Sequence, residues 1–182
     1  MEWRAVFLCY AFSMVSFSEP AGLLSRPRLK RLHEVQAECY RLLQLLIPDD
    51  FSFHDYLKSR VVGSQLLRLQ ILERHAYTTF FRLTYEFPPQ LEQRYAPDAH
   101  IRFYHDARLA EATSFNCVQA CTRDTHPAYP ARQMMQRAWR RNRALERWLD
   151  YLLKQGHSVL TMRPARNPIA NPALEKSLVT VG

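Results

Sequence analysis

An imidazole and two carboxylates, His105, Asp106 and Glu111, fall within seven residues of this chain, with the phenol of Tyr104 beside them. Two carboxylates held close together push one pKa up, which is how acid/base pairs are built. The surrounding residues alternate as a strand does, Ile101-Arg102-Phe103-Tyr104 and then Leu109-Ala110-Glu111-Ala112-Thr113, so neighbouring side chains point to opposite faces. His105 and Asp106 therefore cannot work on one substrate atom. A two-residue turn at Ala107-Arg108 sets Tyr104 across from Glu111, with Asp106 diagonal to it and His105 turned the other way. A register slip of one residue would swap every one of these faces. No Ser, Cys or Lys is placed beside His105 as a nucleophile, so no catalytic residue is assigned. The chemistry left open is a ligand site formed by Arg102, Tyr104, His105, Asp106 and Glu111. Against it stands a plainly structural reading, with His105 buried, Asp106 capping the turn and Glu111 paired with Arg102 or Arg82.

A second constellation is electrostatic. Residues 130–155 hold seven basic groups against Glu146 and Asp150, whereas residues 29–129 balance at 12 of each sign. On a helix, Arg132, Arg140, Arg143, Arg147 and Lys154 fall within an arc of about 80° and form a stripe roughly 33 Å long. Met134, Ala138, Leu145, Leu149 and Leu152 centre on the opposite side. Solvated faces usually mix charge signs, so a stripe of one sign suits nucleic acid or an acidic protein. Arg141 falls inside the apolar arc, where its stem should be buried with its head reaching out. Arg68, Arg82 and Arg102, on neighbouring strands with Tyr104, could also take a phosphorylated small molecule or stack a base. Single-strand readers normally expose two or more aromatics, and pairing of these arginines with Glu86, Asp106 and Glu111 competes.

The elements that must position these groups follow from periodicity. Leu29, Leu32, Val35, Cys39, Leu42, Leu43 and Leu46 recur at helical steps until Pro48. Residues 51–63 read as a loop. Leu67, Leu69 and Ile71 alternate with polar residues, as do Phe81, Leu83, Tyr85 and Phe87, and residues 100–106 and 109–115 read as a hairpin. A second helix runs from Pro130 to about Gln155 and stops at Gly156. Helix, four strands, helix predicts a single α+β domain, with a four-stranded antiparallel sheet and both helices on one face. Leu67, Leu69, Phe81, Leu83, Ile101 and Phe103 then face the helices. Arg68, Gln70, Arg82, Thr84, Arg102, Tyr104, Asp106, Glu111 and Thr113 face away.

The expected boundaries are an N-terminal extension over 1–24, the domain over 25–162, and a disordered proline-containing tail over 163–182. Residues 1–24 contain an apolar run, Ala5–Phe12, and a small-x-small triplet at Ser16-Phe17-Ser18. A translation start set too far upstream is the expected reading, with Met14 or a later codon as the true start. A secretory signal and a genuine extra segment stay open. The run is too short to span a bilayer. With 182 residues, 47% of them hydrophobic, the chain is globular. Its four cysteines do not form a disulfide framework, and a reducing cytoplasm suits them. Cys117 and Cys121 with His126 lack a fourth ligand marked by spacing, so neither a metal nor a cofactor is assigned.

The segment Tyr77-Thr78-Thr79, the run Tyr104-His105-Asp106-Ala107 with Ala110-Glu111, and Tyr129-Pro130 leading to Asn142, Leu145, Trp148-Leu149 and Gly156 together resemble the YqiB-like family. This is a family of short proteobacterial proteins described as a domain of unknown function. The resemblance spans roughly residues 29–160. Members begin near the position of Lys30-Arg31 and carry an Asp-Glu-Lys run where this chain has Gln136-Arg137-Ala138. It implies a cytoplasmic protein and brings no catalytic residue. The reading that results is an uncharacterised, non-enzymatic binding or interaction protein that engages nucleic acid or an acidic partner through its basic C-terminal helix. The alternative is a small metabolite-binding domain or enzyme acting from the Arg102/Asp106/Glu111 sheet face.

Overall fold

The computed structural model describes residues 28–87, 95–116 and 131–165. Helix α1 spans Arg28–Leu46, and a short 3-10 turn follows at Phe51–Phe53. Strands β1 (Tyr56–Ser59), β2 (Leu66–Arg74), β3 (Thr78–Glu86), β4 (Tyr95–Tyr104) and β5 (Leu109–Asn116) come next. Helix α2 (Ala131–Lys154) and strand β6 (Met162–Pro164) complete the order.

The fold is a single α+β domain, but among the described residues its sheet has six strands and not the expected four. Their order is β5-β4-β3-β2-β1-β6, and every pair is antiparallel. The two additional strands lie where a loop and a tail were expected. In β1, Tyr56 and Leu57 are both buried, so no apolar/polar alternation marks it. In β6, three residues include Pro164, which is tolerated at a sheet edge because no partner strand needs its missing N–H. Both strands are too short to declare themselves by periodicity and are defined by pairing with each other, Ser59 opposite Met162 and Leu57 opposite Pro164. Arg163 to Ala165 thus belong to the fold, with the Ala165 N–H donating to the Tyr56 carbonyl at 2.9 Å.

Alternation sorts the sheet as expected. Leu67, Leu69, Phe81, Leu83, Ile101 and Phe103 are all buried in the core cluster with Leu42, Leu43 and Leu46 of α1 and Leu145, Leu149 and Leu152 of α2. The two helices run alongside each other in the same direction. Arg31 lies 5.4 Å over the Trp139 ring near one end, and the Val159 N–H meets the Leu45 carbonyl at the other. Met134, placed by periodicity on the buried arc of α2, is instead 62% exposed. The buried arc continues through Asn142 and Trp148.

Asn142 is the polar member of that arc. Its Nδ2 donates to the Ala138 carbonyl at 2.8 Å, and its Oδ1 accepts the Ala112 N–H of β5 at 2.9 Å. Its own carbonyl accepts the Cys39 thiol of α1 at 3.5 Å. β5 is an edge strand among the described residues, so half of its backbone groups have no described strand to pair with. A side-chain amide supplies one of the missing partners. Replacing Asn142 by Leu strands the buried Ala112 N–H, and unfolding in urea should show a loss of about 1–3 kcal/mol. An unchanged urea midpoint would show that the amide is dispensable.

Candidate functional site

The β4–β5 hairpin turns through four residues, His105–Arg108, and not two. Arg108 takes the left-handed conformation at φ 53° that closes the turn. Tyr104 therefore pairs with Leu109, and Arg102 with Glu111. The register differs by two residues from the expected one, an even number, so Arg102, Tyr104 and Glu111 keep their expected face. Tyr104 reaches Glu111 diagonally, its hydroxyl donating to Oε2 at 3.3 Å. Partial burial, with the Glu111 carboxylate second, raises the Tyr104 phenol above its usual pKa. Asp106 has left the sheet; its exposed carboxylate accepts the Ala107 N–H at 2.8 Å and caps the turn. Asp106 and Glu111 thus serve different partners.

His105 turns to the core side. Its ring lies 5.1 Å from Phe103 and 6.2 Å from Phe51, and its Nε2 shares a 2.9 Å hydrogen bond with the Thr79 hydroxyl. Its backbone N–H donates to the Tyr77 carbonyl at 2.9 Å. Tyr77–Thr79 and Tyr104–Ala107, two of the stretches that carried the resemblance, thereby meet in space. What joins them is hydrogen bonding and ring contact between two hairpin ends.

The face of the sheet turned away from the helices is laced with internal pairs. Arg68 is ion-paired with Glu86, and both side chains are largely buried. Arg82 grips Asp98 with two hydrogen bonds, of 2.7 and 2.8 Å. Asp98, and not Asp106, is therefore the carboxylate that Arg82 meets. Arg102, exposed, holds its guanidinium 5.7 Å over the Phe80 ring. Phe80 lies 6.1 Å from the His100 ring, and His100 Nδ1 is 2.7 Å from the Ser114 hydroxyl. Phe80 and His100 are legible in the sequence as outward-facing by parity, since each neighbours a core residue.

The stripe on α2 is less uniformly positive than its sequence. Arg140 is exposed at mid-helix and Arg147 is half-buried. Arg143 is ion-paired with Glu146 and Lys154 with Asp150, the latter at 2.6 Å. These i,i+3 and i,i+4 pairs partly neutralise the stripe. The side chain of Arg132 lies outside the described residues, as do Cys117, Cys121 and His126. Arg141 is half-buried, and its Nε is enclosed without a hydrogen-bond partner among the described residues.

These sites can be set against known proteins. The chain belongs to the family described as Protein of unknown function (DUF1249). Its model matches residues 41–158. No curated protein and no solved structure matches the chain. The DUF1249 span takes in β1 to β5, all of α2 and the residues just beyond it. Among the described residues, no group of three or more His, Cys, Asp or Glu could hold a metal ion, and no helix is long and apolar enough to cross a membrane.

Near the end of the DUF1249 span lies a buried polar cluster that sequence reasoning missed. Gly156, at φ 92°, ends α2 with the His157 N–H on the Leu152 carbonyl and the Gly156 N–H on the Leu153 carbonyl. This is the paired-bond C-cap that glycine favours. It delivers His157 into the interior beside β1. His157 Nδ1 lies 2.7 Å from the Ser59 hydroxyl and Nε2 lies 2.9 Å from the Ser64 hydroxyl. Ser59 also meets the Thr161 hydroxyl at 2.7 Å, and Ser64 meets that of Tyr85 at 3.4 Å. A Ser–His pairing of this kind resembles a nucleophile with its base. The ring, however, is enclosed, and burial lowers its pKa to about 4, too weak a base for work at neutral pH. Its role is to lock the end of α2 to β1.

That lock has a pH signature. The folded pKa of His157 lies below the ordinary 6.5, so the unfolded chain takes up the proton first. The stabilisation from a neutral His157 is complete above pH 6.5 and is lost as pH falls from there toward 4. Urea midpoints measured from pH 7.5 to 4 should fall steeply for the wild type and less steeply for His157→Gln. Parallel curves would show that another group sets the acid sensitivity.

Proposed function

We propose that this protein is a non-enzymatic binding protein that engages nucleic acid through the basic face of α2. The observation that carries this reading is the charge of α2. Its described side chains number six basic against two acidic, with Arg140 exposed at the centre, in a chain of net charge +8. Neutralising phosphates releases condensed counterions, which makes such binding strong at low salt and sensitive to added salt. Glu146 and Asp150 pair with Arg143 and Lys154, so the proposed surface centres on the exposed Arg140. The same stripe would serve an acidic protein, which is the reading to take up if nucleic acid is not bound.

The metabolite or enzyme reading has less support. Arg102 faces Glu111 across two strands, but Asp106 is occupied by its own turn, so the three do not converge on one ligand. Within DUF1249, the quoted motifs favour the YqiB-like group. A cytoplasmic setting fits the buried, free thiol of Cys39, whose pKa burial pushes up.

Fluorescence anisotropy of the purified chain against mixed-sequence RNA and DNA, at several salt concentrations, tests the proposal. Affinity should fall with a log-log slope of about −0.7 to −0.9 per phosphate contacted. Arg140→Glu with Arg147→Glu should weaken binding at least about tenfold while leaving the circular dichroism unchanged. Binding unaffected by this double reversal would remove α2 as the contact surface.

A further inference from the structure

We propose that the outward face of β3–β5 is a platform for single-stranded nucleic acid, with bases stacked on Phe80, His100 and Tyr104 and phosphate held by Arg102. The inference rests on the reading of the protein as a nucleic-acid binder, and it names the form of nucleic acid and a second contact surface.

The placement follows from register. Phe80 lies opposite Arg102, Arg82 opposite His100, and Thr78 opposite Tyr104, so three rings and one guanidinium share one face of adjacent strands. All three rings are half-buried, and Arg102 is exposed. Each ring keeps part of its surface in solvent. The Tyr104 hydroxyl is anchored on Glu111 at 3.3 Å and the His100 ring on Ser114 at 2.7 Å. Phe80 lies beside His100 at 6.1 Å, with the Arg102 guanidinium 5.7 Å above it. Rings held in this way lose little freedom when a base stacks on them, and a guanidinium plane stacks bases as well as rings do.

The charge around the platform fits an anion. Asp98 is gripped by Arg82 and Glu86 by Arg68, so the carboxylates beside the rings are compensated within the face. Glu111 is turned to the Tyr104 hydroxyl. Arg102 stands at the centre, exposed, with Glu111 opposite it on β5. A duplex hides its base faces by stacking them on each other, so flat protein rings can be used only by unpaired bases. The helices cover the opposite side of the sheet, and both pack against β5, the edge strand nearest the rings.

The test uses the full chain and three labelled probes: a mixed-sequence single strand, the matching duplex, and a mononucleotide. The single strand should bind at least about tenfold tighter than either of the others. Phe80→Ala and Tyr104→Ala should each weaken single-strand binding by about tenfold, the loss expected for one stacked base. Tyr104→Phe, which keeps the ring, should not. Arg102→Gln, an exposed position that leaves the core untouched, should reduce the salt slope by about one phosphate. Folding of each variant is checked by thermal melting. If Phe80→Ala does not fold, Tyr104→Ala and Arg102→Gln decide the matter. Equal affinity for single strand and duplex, or single-strand binding indifferent to Tyr104→Ala and Arg102→Gln, overturns the platform while leaving the α2 reading intact. A mononucleotide bound as tightly as the oligomer overturns it in favour of a small-molecule site. Absence of binding to every probe overturns both readings.

Discussion

A buried amide with four hydrogen-bonding positions inside an apolar core must find partners, and Asn142 finds them on three elements. Its Oδ1 accepts the Ala112 N–H of the edge strand, its Nδ2 donates a hydrogen bond to its own helix, and its main-chain carbonyl accepts the thiol of α1. Apolar contacts hold the helices on the sheet, but they are nondirectional and would tolerate sliding. The amide does not. It fixes where α2 crosses β5, and with it the direction in which the outer surface of α2 presents Arg140. The cost of leaving a buried N–H unpaired is what makes this single residue a register mark.

The same physical rule shapes the other end of α2. The carbonyls at the helix terminus are met by the turn at Gly156, which swings His157 inward, where two serine hydroxyls meet both ring nitrogens. Burial keeps the ring neutral, so one nitrogen donates and the other accepts. The chain then leaves this cluster to form β6 against β1. The Ser–His proximity is therefore an outcome of helix termination and packing. In the hairpin, His105 plays a comparable part, tying the β2–β3 turn to the β4–β5 turn through Thr79 and Tyr77.

The charged groups divide by environment. On the sheet, where strand neighbours are fixed about 5 Å apart, arginines meet carboxylates on adjacent strands and are partly buried with them. On α2 the pairs are local, one helical turn apart, and leave Arg140 in solvent. Net charge on the sheet face is thus largely spent on the fold, while that on α2 is less so. What the sheet face retains is rings.

The α+β class, both helices to within a residue or two, the inward set of the central strands and the outward face of Arg102, Tyr104 and Glu111 were all legible in the sequence, because periodicity reports which side of an element is buried. Edge and short strands were not legible, because the stability of β1 and β6 resides in their pairing and leaves no alternation in four or three residues. The turn at His105–Arg108 was misjudged by two residues, since a positive φ at a non-glycine residue carries no sequence mark. Of the proposed site residues, the sequence could say that Tyr104 and Arg102 face outward and that Arg140 stands on a basic arc. Only the tertiary structure could decide that Asp106 is occupied by its own turn, that Asp98 takes Arg82, that Phe80 and His100 join Tyr104 on one surface, and that His157 is enclosed. Partner identity depends on where strands from distant parts of the chain come to lie, and register is set by packing and hydrogen-bond satisfaction across the whole sheet.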